Sequence, residues 1–266
     1  MGKTYEELDF TDDFVFCKVL SNNEEITRRL LELILGVRIR KVIVDKQKAI
    51  EMTADGRGIR LDVYVEDDKD TVYDLEMQTT VRGDLPKRTR YYQGMLDLNL
   101  IERGAKFSAL KHTYIIFICK DDPFNKGLHV YTFENRCKEL PTLGLGDGAV
   151  KIFLNASGTA DDISDDMKDF ISLLNTGTGN TDLSKMISDE VEKVRQHPEW
   201  RREYMTLYMR DQENQEIGRE KGRAEGEDLS FTLLQKLLAA GRSDDVQRVA
   251  SDKAYREELY KEFGLK

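Results

Sequence analysis

The chain has 266 residues, of which 39% are hydrophobic and 34% are charged, and only 4 are proline. This composition excludes collagen-like, disordered and low-complexity proteins for most of the chain, and the length predicts one large domain with an appendage, or two domains. The net charge of -9 argues against a nucleic-acid partner, but residues 1–140 carry 23 Lys and Arg against 25 Asp and Glu. Most of the acidity therefore lies in the second half.

The sequence predicts neither a membrane segment nor an export signal. No apolar run reaches the roughly 18 residues that a membrane span requires, and the first 14 residues lack the basic and apolar regions of a signal peptide. We therefore expect a cytoplasmic protein with no membrane partner. The three cysteines are odd in number and widely spaced, which excludes a disulfide framework and a CxxC zinc site.

The N-terminal segment predicts two helices and then a strand. Thr11 is a capping residue type placed before the amphipathic run DDFVFCKVL. Asn23 can cap the second helix, EEITRRLLELIL, and Gly36 supplies its left-handed stop. Residues 38–45 then have the composition of a strand.

A hairpin and a third helix follow. Residues 59–66 and 71–79 alternate apolar and polar side chains around the polar turn at 67–70, which is typical of two paired strands. A helix is predicted from Asp84 to about Ile101, because proline at position 86 is tolerated in the first helical turn.

The rest of the chain adds three strands and then only helices. Strands are predicted at 112–119, 128–133 and 149–154, and helices at 161–174, 183–196 and 199–217, with two or three short helices in the last forty residues. The order of elements predicts an α/β fold, with a mixed central sheet flanked by helices and an all-helical C-terminal tail.

A glycine repeat marks a boundary in the tail. Gly218, Gly222 and Gly226 recur every four residues with charged residues between them, and each costs a helix about 1 kcal/mol. The segment is read as a solvated linker helix or, alternatively, as a self-association stripe. We expect a core domain at 1–157, a helical extension at 158–217, the linker helix at 218–228 and a small helical segment at 229–266.

Two carboxylates are predicted to face each other across the hairpin. If the turn centres near Lys69, antiparallel pairing places Asp62 opposite Glu76 and Tyr64 opposite Asp74. Opposed carboxylates repel unless a cation, a proton or a lysine compensates them, and hard oxygen ligands are those that magnesium prefers. The hairpin therefore predicts a divalent metal site able to promote phosphodiester hydrolysis.

Strand alternation places the polar side chains of the hairpin on one face: Asp62, Asp74, Glu76 and Gln78. The alternative reading is that they are the solvated positions of a half-exposed hairpin. The next segment favours the metal site, because residues 82–90 carry a net charge of +3 in an acidic chain. Such a patch attracts phosphate groups.

Together these motifs resemble a known nuclease family. The segments DFVFCKVL, LDVYVEDDKDTVYDLEMQ and KRTRYYQGMLD, the last followed by a buried strand, resemble the recombination-promoting nuclease/transposase family of the PD-(D/E)XK nuclease superfamily. The resemblance covers roughly residues 8–155 and, more weakly, the glycine repeat and the tail. It implies a restriction-endonuclease-like core and a DNA substrate.

The resemblance implies that Asp62 and Glu76 bind Mg2+, with Mn2+ or Ca2+ as alternatives, and that Gln78 completes the catalytic set in place of the superfamily's lysine. A lysine would orient the attacking water and offset negative charge, whereas glutamine can hydrogen-bond a water but carries no charge. We therefore expect slower activity, or activity that depends on another cation such as Lys87 or Arg88.

Further residues are candidates for accessory roles. Glu32 matches the acidic residue that an early helix often gives such sites, although an ordinary helix-surface acid is an equal reading. Gln93 could face the site one turn beyond Arg90. The residues expected to engage DNA phosphates are Arg82, Lys87, Arg88 and Arg90.

Two functional hypotheses follow. The first is a Mg2+-dependent DNA endonuclease linked to recombination or mobile elements. The second is a nuclease-fold module without activity that binds DNA or other partners, which the missing lysine and the net acidity favour. In either case we expect a homo-oligomer formed through the C-terminal helices. Zinc hydrolysis is disfavoured because the three histidines lie far apart without HExxH spacing, and GxSxG, P-loop and GxGxxG motifs are absent from the sequence.

Overall fold

The structure, a computed structural model, describes residues 3–45, 49–50, 59–80 and 83–265. By contacts the chain divides into two compact units, Met1–Arg201 and Arg202–Lys266. No helix in the described ranges is long and apolar enough to cross a membrane.

A six-stranded mixed sheet forms the centre of the first unit. The strands of this unit are β1 (Val42–Asp45), β2 (Ala49–Ile50), β3 (Ile59–Arg60), β4 (Val63–Asp67), β5 (Val72–Gln78), β6 (Thr113–Cys119), β7 (Val130–Phe133) and β8 (Ala149–Asn155). The sheet order is β1-β4-β5-β6-β8-β7, and β2 pairs separately with β3. β5, β6 and β8 are mutually parallel, while the remaining pairs are antiparallel.

Helices surround this sheet and form the C-terminal part of the chain. They are α1 (Asp13–Asn22), α2 (Glu24–Leu35), α3 (Leu85–Leu100), α4 (Asp165–Thr176), α5 (Asp182–Gln196), α6 (Pro198–Ala239), α7 (Ser243–Ser251) and α8 (Lys253–Glu262). The first two contact β1, and α3 contacts β6. The predicted α/β fold, with a mixed sheet, flanking helices and a helical C-terminus, is confirmed.

α3 is the crossover that parallel pairing of β5 and β6 requires. Its apolar residues Leu85 and Leu96 are buried in one cluster with Ile115 and Phe117 of β6. Parallel partners present their side chains on the same face, so Glu76, which pairs with Phe117, lies on the face that α3 covers. The polar side chains of β5 are thus placed under this helix.

The caps of the first two helices agree only in part with the prediction. α2 is confirmed in detail, since the Asn23 side chain accepts from the Ile26 N–H at 3.1 Å and Gly36 has a φ of 67°. The predicted cap of α1 is wrong, because Asp12 occupies the N-cap position. Thr11 instead donates its hydroxyl to Asp9.

The predicted hairpin forms with the predicted register, but its first strand is interrupted. Tyr64 pairs with Asp74, as a turn centred near Lys69 requires. The strand predicted at 59–66 is split into β3 and β4 by a bend at Asp62. The strand predicted at 38–45 is shorter than expected and begins at Val42.

α6 is longer than the sequence predicts. It runs without a break through Gly218, Gly222 and Gly226, where we expected separate elements. Glycine only lowers helix propensity, and charged pairs four residues apart, such as Arg223 with Glu227, support the helix. Residues 208–228 are exposed, in keeping with a solvated linker helix.

Each compact unit has its own core. α5 contacts both α1 and α2, and α4 contacts α2, so these two C-terminal helices lie within the first unit, beyond the boundary predicted at residue 157. In the second unit, the end of α6 packs with α7 and α8 around a small apolar cluster that includes Leu233, Leu237, Val249 and Leu259.

The Asn23 cap gives a test of the fold. Replacing Asn23 with Ala removes the acceptor for the Ile26 N–H, and we expect the free energy of unfolding to fall by about 1 kcal/mol in urea denaturation. The Asn23→Ser control retains a capping oxygen and should stay within a few tenths of a kcal/mol of the parent chain. Equal losses in both variants would contradict the cap.

Candidate active site

Asp62 and Glu76 meet where the ladder between β4 and β5 ends. The last residue pair of the ladder is Val63 with Leu75. Beyond this pair, the carboxylates of Asp62 and Glu76 accept the hydrogen bonds that connect the two chain segments. The Asp62 N–H donates to Glu76 Oε1 at 3.1 Å, and the Met77 N–H donates to Asp62 Oδ2 at 3.2 Å. The bend at Asp62 therefore has a physical cause: two carboxylates accept main-chain donors in place of carbonyl groups.

The polar side chains of β5 are buried. Asp74, Glu76 and Gln78 are 0%, 3% and 8% exposed, because β5 is a central strand with neighbours on both sides and α3 above it. The alternative in which they are solvated positions of a half-exposed hairpin is therefore wrong for these three residues. We call Asp62, Asp74 and Glu76 the acidic cluster.

Asp74 is the most isolated member of the acidic cluster. Both of its carboxylate oxygens are buried and have no hydrogen-bond partner among the described residues. Tyr64 lies opposite Asp74 in the ladder, but its hydroxyl donates to Glu66. A buried carboxylate without a donor is unfavourable unless a proton or a cation neutralises it.

Burial and mutual repulsion change the acidity of the cluster. Burial raises the pKa of Asp74 well above its usual value, and the charge of Asp62 raises it further, while the charge of Arg88 acts in the opposite direction. Burial likewise raises the pKa of Glu76, with the charges of Asp74 and Asp62 adding to the effect. Without a cation, Asp74 and Glu76 retain protons that exposed carboxyl groups would release.

Arg88 of α3 is the cation closest to these acids in the described structure. Its Nη2 lies 3.4 Å from Glu76 Oε2 and donates to the Tyr92 hydroxyl at 3.0 Å, and its Nη1 donates to Gln78 Oε1 at 2.8 Å. The guanidinium also lies 5.2 Å from the centre of the Phe117 ring. These contacts from four side chains fix a positive charge at the edge of the acidic cluster.

Gln78 is held at both ends of its amide. Its Oε1 accepts from Arg88, and its Nε2 donates to the Thr80 carbonyl at 2.8 Å. The side chain therefore orients Arg88. Its Nε2 also lies 3.5 Å from Thr80 Oγ1, at the long limit of a hydrogen bond, so one lone pair and the second N–H can still take a partner such as water.

The other predicted residues lie in different places. Lys87 and Arg90 are exposed on α3, whereas Arg82 lies outside the described residues. Glu32 is engaged elsewhere, since its Oε1 accepts from the Ile39 N–H at 2.8 Å and pairs with Arg28.

Gln93 is placed toward the start of β6 and not beside Glu76. Its Nε2 donates to Thr113 Oγ1 at 2.7 Å and to Asp97 at 2.9 Å.

The residues fit a divalent cation with few protein ligands. Within the described residues, no group of three or more His, Cys, Asp or Glu side chains could hold a metal ion. Magnesium, however, usually binds through one or two carboxylates and completes its coordination with water and substrate phosphate. Asp62 and Glu76 provide two carboxylates, and the unpartnered oxygens of Asp74 add negative potential beside them.

Sequence reasoning missed two residues of this site. It gave no role to Asp74, although the alternation Asp74, Glu76, Gln78 already placed all three on one face. It also gave no role to Tyr92. The four-residue spacing from Arg88 to Tyr92 was the available signal, because such residues lie on the same face of a helix.

Comparison with known families agrees with this geometry. The family model described as PD-(D/E)XK nuclease family transposase matches residues 10–139. Residues 10–139 are therefore similar to that nuclease family. The same comparisons found no matching curated protein and no matching solved structure.

The match to the PD-(D/E)XK nuclease family transposase model confirms the resemblance drawn from the motifs and links residues 10–139 to nucleases and mobile elements. The match contains the acidic cluster, Gln78 and all of α3. It ends before β8 and does not extend to the C-terminal helices.

The acidity of Asp74 gives a test by pH. In the folded state Asp74 keeps a proton that it releases in the unfolded chain above about pH 4. The free energy of unfolding of the parent therefore falls as the pH rises from there toward the raised pKa of Asp74. Asp74→Asn cannot ionise and should not show this loss. Without metal, we expect its stability relative to the parent to grow with pH, by at most about 1.4 kcal/mol per unit.

The measurement is urea denaturation in EDTA at several pH values between 4 and 8. Asp68→Asn, in the exposed turn between β4 and β5, is the control for removing one negative charge. A stability difference between Asp74→Asn and the parent that stays constant across this range would contradict the buried acidic cluster.

Proposed function

We propose that the protein is a Mg2+-dependent DNA endonuclease that hydrolyses phosphodiester bonds in recombination or in the movement of genetic elements. The observation that carries the proposal is a buried acidic cluster with one guanidinium at its edge, 3.4 Å from Glu76. The match of residues 10–139 to a nuclease family model supports the same reading. We also propose that the protein acts in the cytoplasm, where DNA is accessible in cells without a nucleus.

In this proposal Asp62 and Glu76 are the metal ligands. Their orientation is set before any ligand binds, because each carboxylate accepts a main-chain N–H of the opposite strand. Mg2+ held there would polarise a phosphoryl oxygen and lower the pKa of the attacking water, and Mn2+ or Ca2+ could occupy the same oxygen ligands.

Arg88 takes over the charge that a lysine would provide at the position of Gln78. A guanidinium is always protonated and can donate to two oxygens at once, so it can stabilise negative charge that develops on a phosphate. Gln78 positions Arg88 through the 2.8 Å hydrogen bond, and its remaining N–H can orient water. The charge and the polar contact are thus divided between two side chains.

Lys87 and Arg90 provide contacts to the DNA backbone in this proposal. Both side chains are exposed on the first half of α3. Arg88, which lies between them in the sequence, turns toward the acidic cluster instead. Arg82 belongs to the same basic segment in the sequence. Phosphate contacts from such cations fix the position of DNA without reading its sequence.

The second candidate is a nuclease-fold module that binds DNA without cleaving it. The favouring observation is that the Gln78 amide is already engaged by Arg88 and by the Thr80 carbonyl. In that case the acidic cluster would bind a cation without activating water. We further propose a homo-oligomer formed through the C-terminal helices, on which Phe231 and Leu238 are 63% and 60% exposed.

Cleavage of supercoiled plasmid distinguishes these candidates. We expect nicking with Mg2+ that stops in EDTA and falls at least 100-fold in Asp62→Ala, because the variant loses a metal ligand. The fold should survive, since removing a member of the acidic cluster relieves repulsion. Circular dichroism and a thermal melt check that point. No cleavage with any divalent ion would favour the binding module.

Arg88 is tested in the same assay by a pair of variants. Arg88→Met should lower the cleavage rate by about 100-fold, and Arg88→Lys should retain part of it, because the lysine keeps the charge but loses the two-pronged geometry. Lys106→Met, an exposed residue away from α3, is the control for the loss of one cation. Wild-type rates in Arg88→Met would contradict the proposed role of Arg88.

Salt dependence tests the proposed DNA contacts. Lys87→Ala and Arg90→Ala should each weaken DNA binding and reduce the slope of log affinity against log salt concentration by about 1. Fluorescence anisotropy with a labelled duplex in EDTA gives both quantities. If the slope of log affinity against log salt concentration is unchanged in both variants, Lys87 and Arg90 do not contact DNA phosphates.

A further inference from the structure

A second concave site lies on the outer side of α3. It is a cavity of about 640 Å3 between α3, the first residues of β6 and β8, and the neighbouring loops. Three phenylalanines form its apolar wall: Phe124, Phe133 and Phe153. The Phe124 ring lies 5.1 Å from Phe133 and 5.0 Å from Phe153, so the rings form one continuous aromatic surface. Phe133 is 44% exposed, which leaves part of that surface accessible.

Gln93, a residue of the cavity lining, also carries a fixed hydrogen-bond acceptor just beneath the cavity surface. The Nε2 of Gln93 donates to Thr113 and Asp97, and these contacts determine which end of the amide carries the oxygen. The Oε1 of Gln93 is buried and has no partner among the described residues. A buried acceptor without a donor costs free energy, so a ligand that brings an N–H group would be favoured there.

Two cations at the same cavity form no salt bridge among the described residues. They are Arg90 and Lys151, of which Lys151 donates to the Ala149 carbonyl at 3.3 Å and lowers the pKa of the Asp147 carboxyl through its charge. In contrast, the third cation of the lining, Lys111, pairs with Glu66 at 3.0 Å. Arg90 and Lys151 are therefore available to a phosphate group.

The cavity is close to the acidic cluster. Glu76, Phe117 and Phe153 are register partners on three successive strands, so Phe153 lies roughly 10 Å from Glu76 at the usual strand spacing. The ring of Phe117 stacks on Phe153 at 5.7 Å and also lies beneath the Arg88 guanidinium. Both sites thus share one aromatic wall and one helix.

We infer that this cavity binds a nucleobase unstacked from the DNA strand, one or two nucleotides from the phosphate at the acidic cluster. The inference rests on the proposed function. Aromatic rings accept any base by stacking or edge contact, and the volume is in the range of small-ligand pockets. The Gln93 oxygen accepts from an exocyclic amine, which adenine, cytosine and guanine carry and thymine lacks. Arg90 and Lys151 bind the adjoining phosphate.

The same chemistry would fit a free nucleotide, and the test separates the two sources. The probes are a fluorescent single-stranded DNA oligonucleotide, an abasic sugar-phosphate oligomer of the same length and charge, and free dCMP. Binding is measured in EDTA, where metal-dependent cleavage cannot occur. The variants are Phe133→Ala and Phe133→Leu, the second of which keeps apolar packing. Phe107→Ala removes a phenylalanine that is 85% exposed and outside the cavity, and it is the control.

For a base from DNA, both Phe133 variants should bind the ordinary oligonucleotide about tenfold more weakly, while Phe107→Ala and all binding to the abasic oligomer stay unchanged. Binding of dCMP alone, lost in the Phe133 variants, would assign the cavity to a free nucleotide and remove support for DNA as the substrate. Equal effects on both oligomers, no effect, or no binding of any probe would overturn the inference. Plasmid cleavage that persists alongside such a result would leave the proposed endonuclease intact.

Discussion

The repulsion among three carboxylates under α3 is the constraint on which the candidate site depends. Asp74 and Glu76 are buried on the central strand, where charges interact more strongly than they do in water. Asp62 joins them because its carboxylate takes the place of a main-chain acceptor. Among the described residues, main-chain N–H groups and the Arg88 guanidinium compensate this repulsion in part. The remaining imbalance makes the site attractive to cations.

The side chains of α3 point in three directions and therefore lie in three different environments. Arg88 and Tyr92, four residues apart, face the sheet beside the acidic cluster. Gln93 and Asp97, also four apart, face the second cavity. Lys87 and Arg90 remain exposed. A period of 3.6 residues allows one amphipathic helix to join the acidic cluster, the cavity and the exposed cations, so a rotation of this helix would disturb all three together.

Local patterns were sufficient for the hairpin and for the pairing of its acids. The turn chemistry centred the hairpin near Lys69, and antiparallel geometry then fixed Tyr64 opposite Asp74. Burial was not predictable from alternation, because a strand covered on both faces can still alternate when its polar residues belong to a site. The sequence also could not show that Arg88 is the cation that faces the sheet, because Lys87 and Arg90 are cations of the same short segment. That choice depends on how α3 rotates against β6, which is set by packing of Leu96 and Phe117.

The acidic cluster connects stability to ligand affinity. Any cation that binds the folded state relieves repulsion that the unfolded chain does not experience. The repulsion that lowers the free energy of unfolding without a cation therefore raises the affinity of the folded state for that cation. This reasoning explains why Asp74, whose two oxygens lack a donor, can be useful although it is the least favourable residue of the cluster. A well-partnered Asp74 would make the domain more stable but would weaken the potential at Asp62 and Glu76. The unsatisfied carboxylate is therefore a stability cost that the proposed metal site explains.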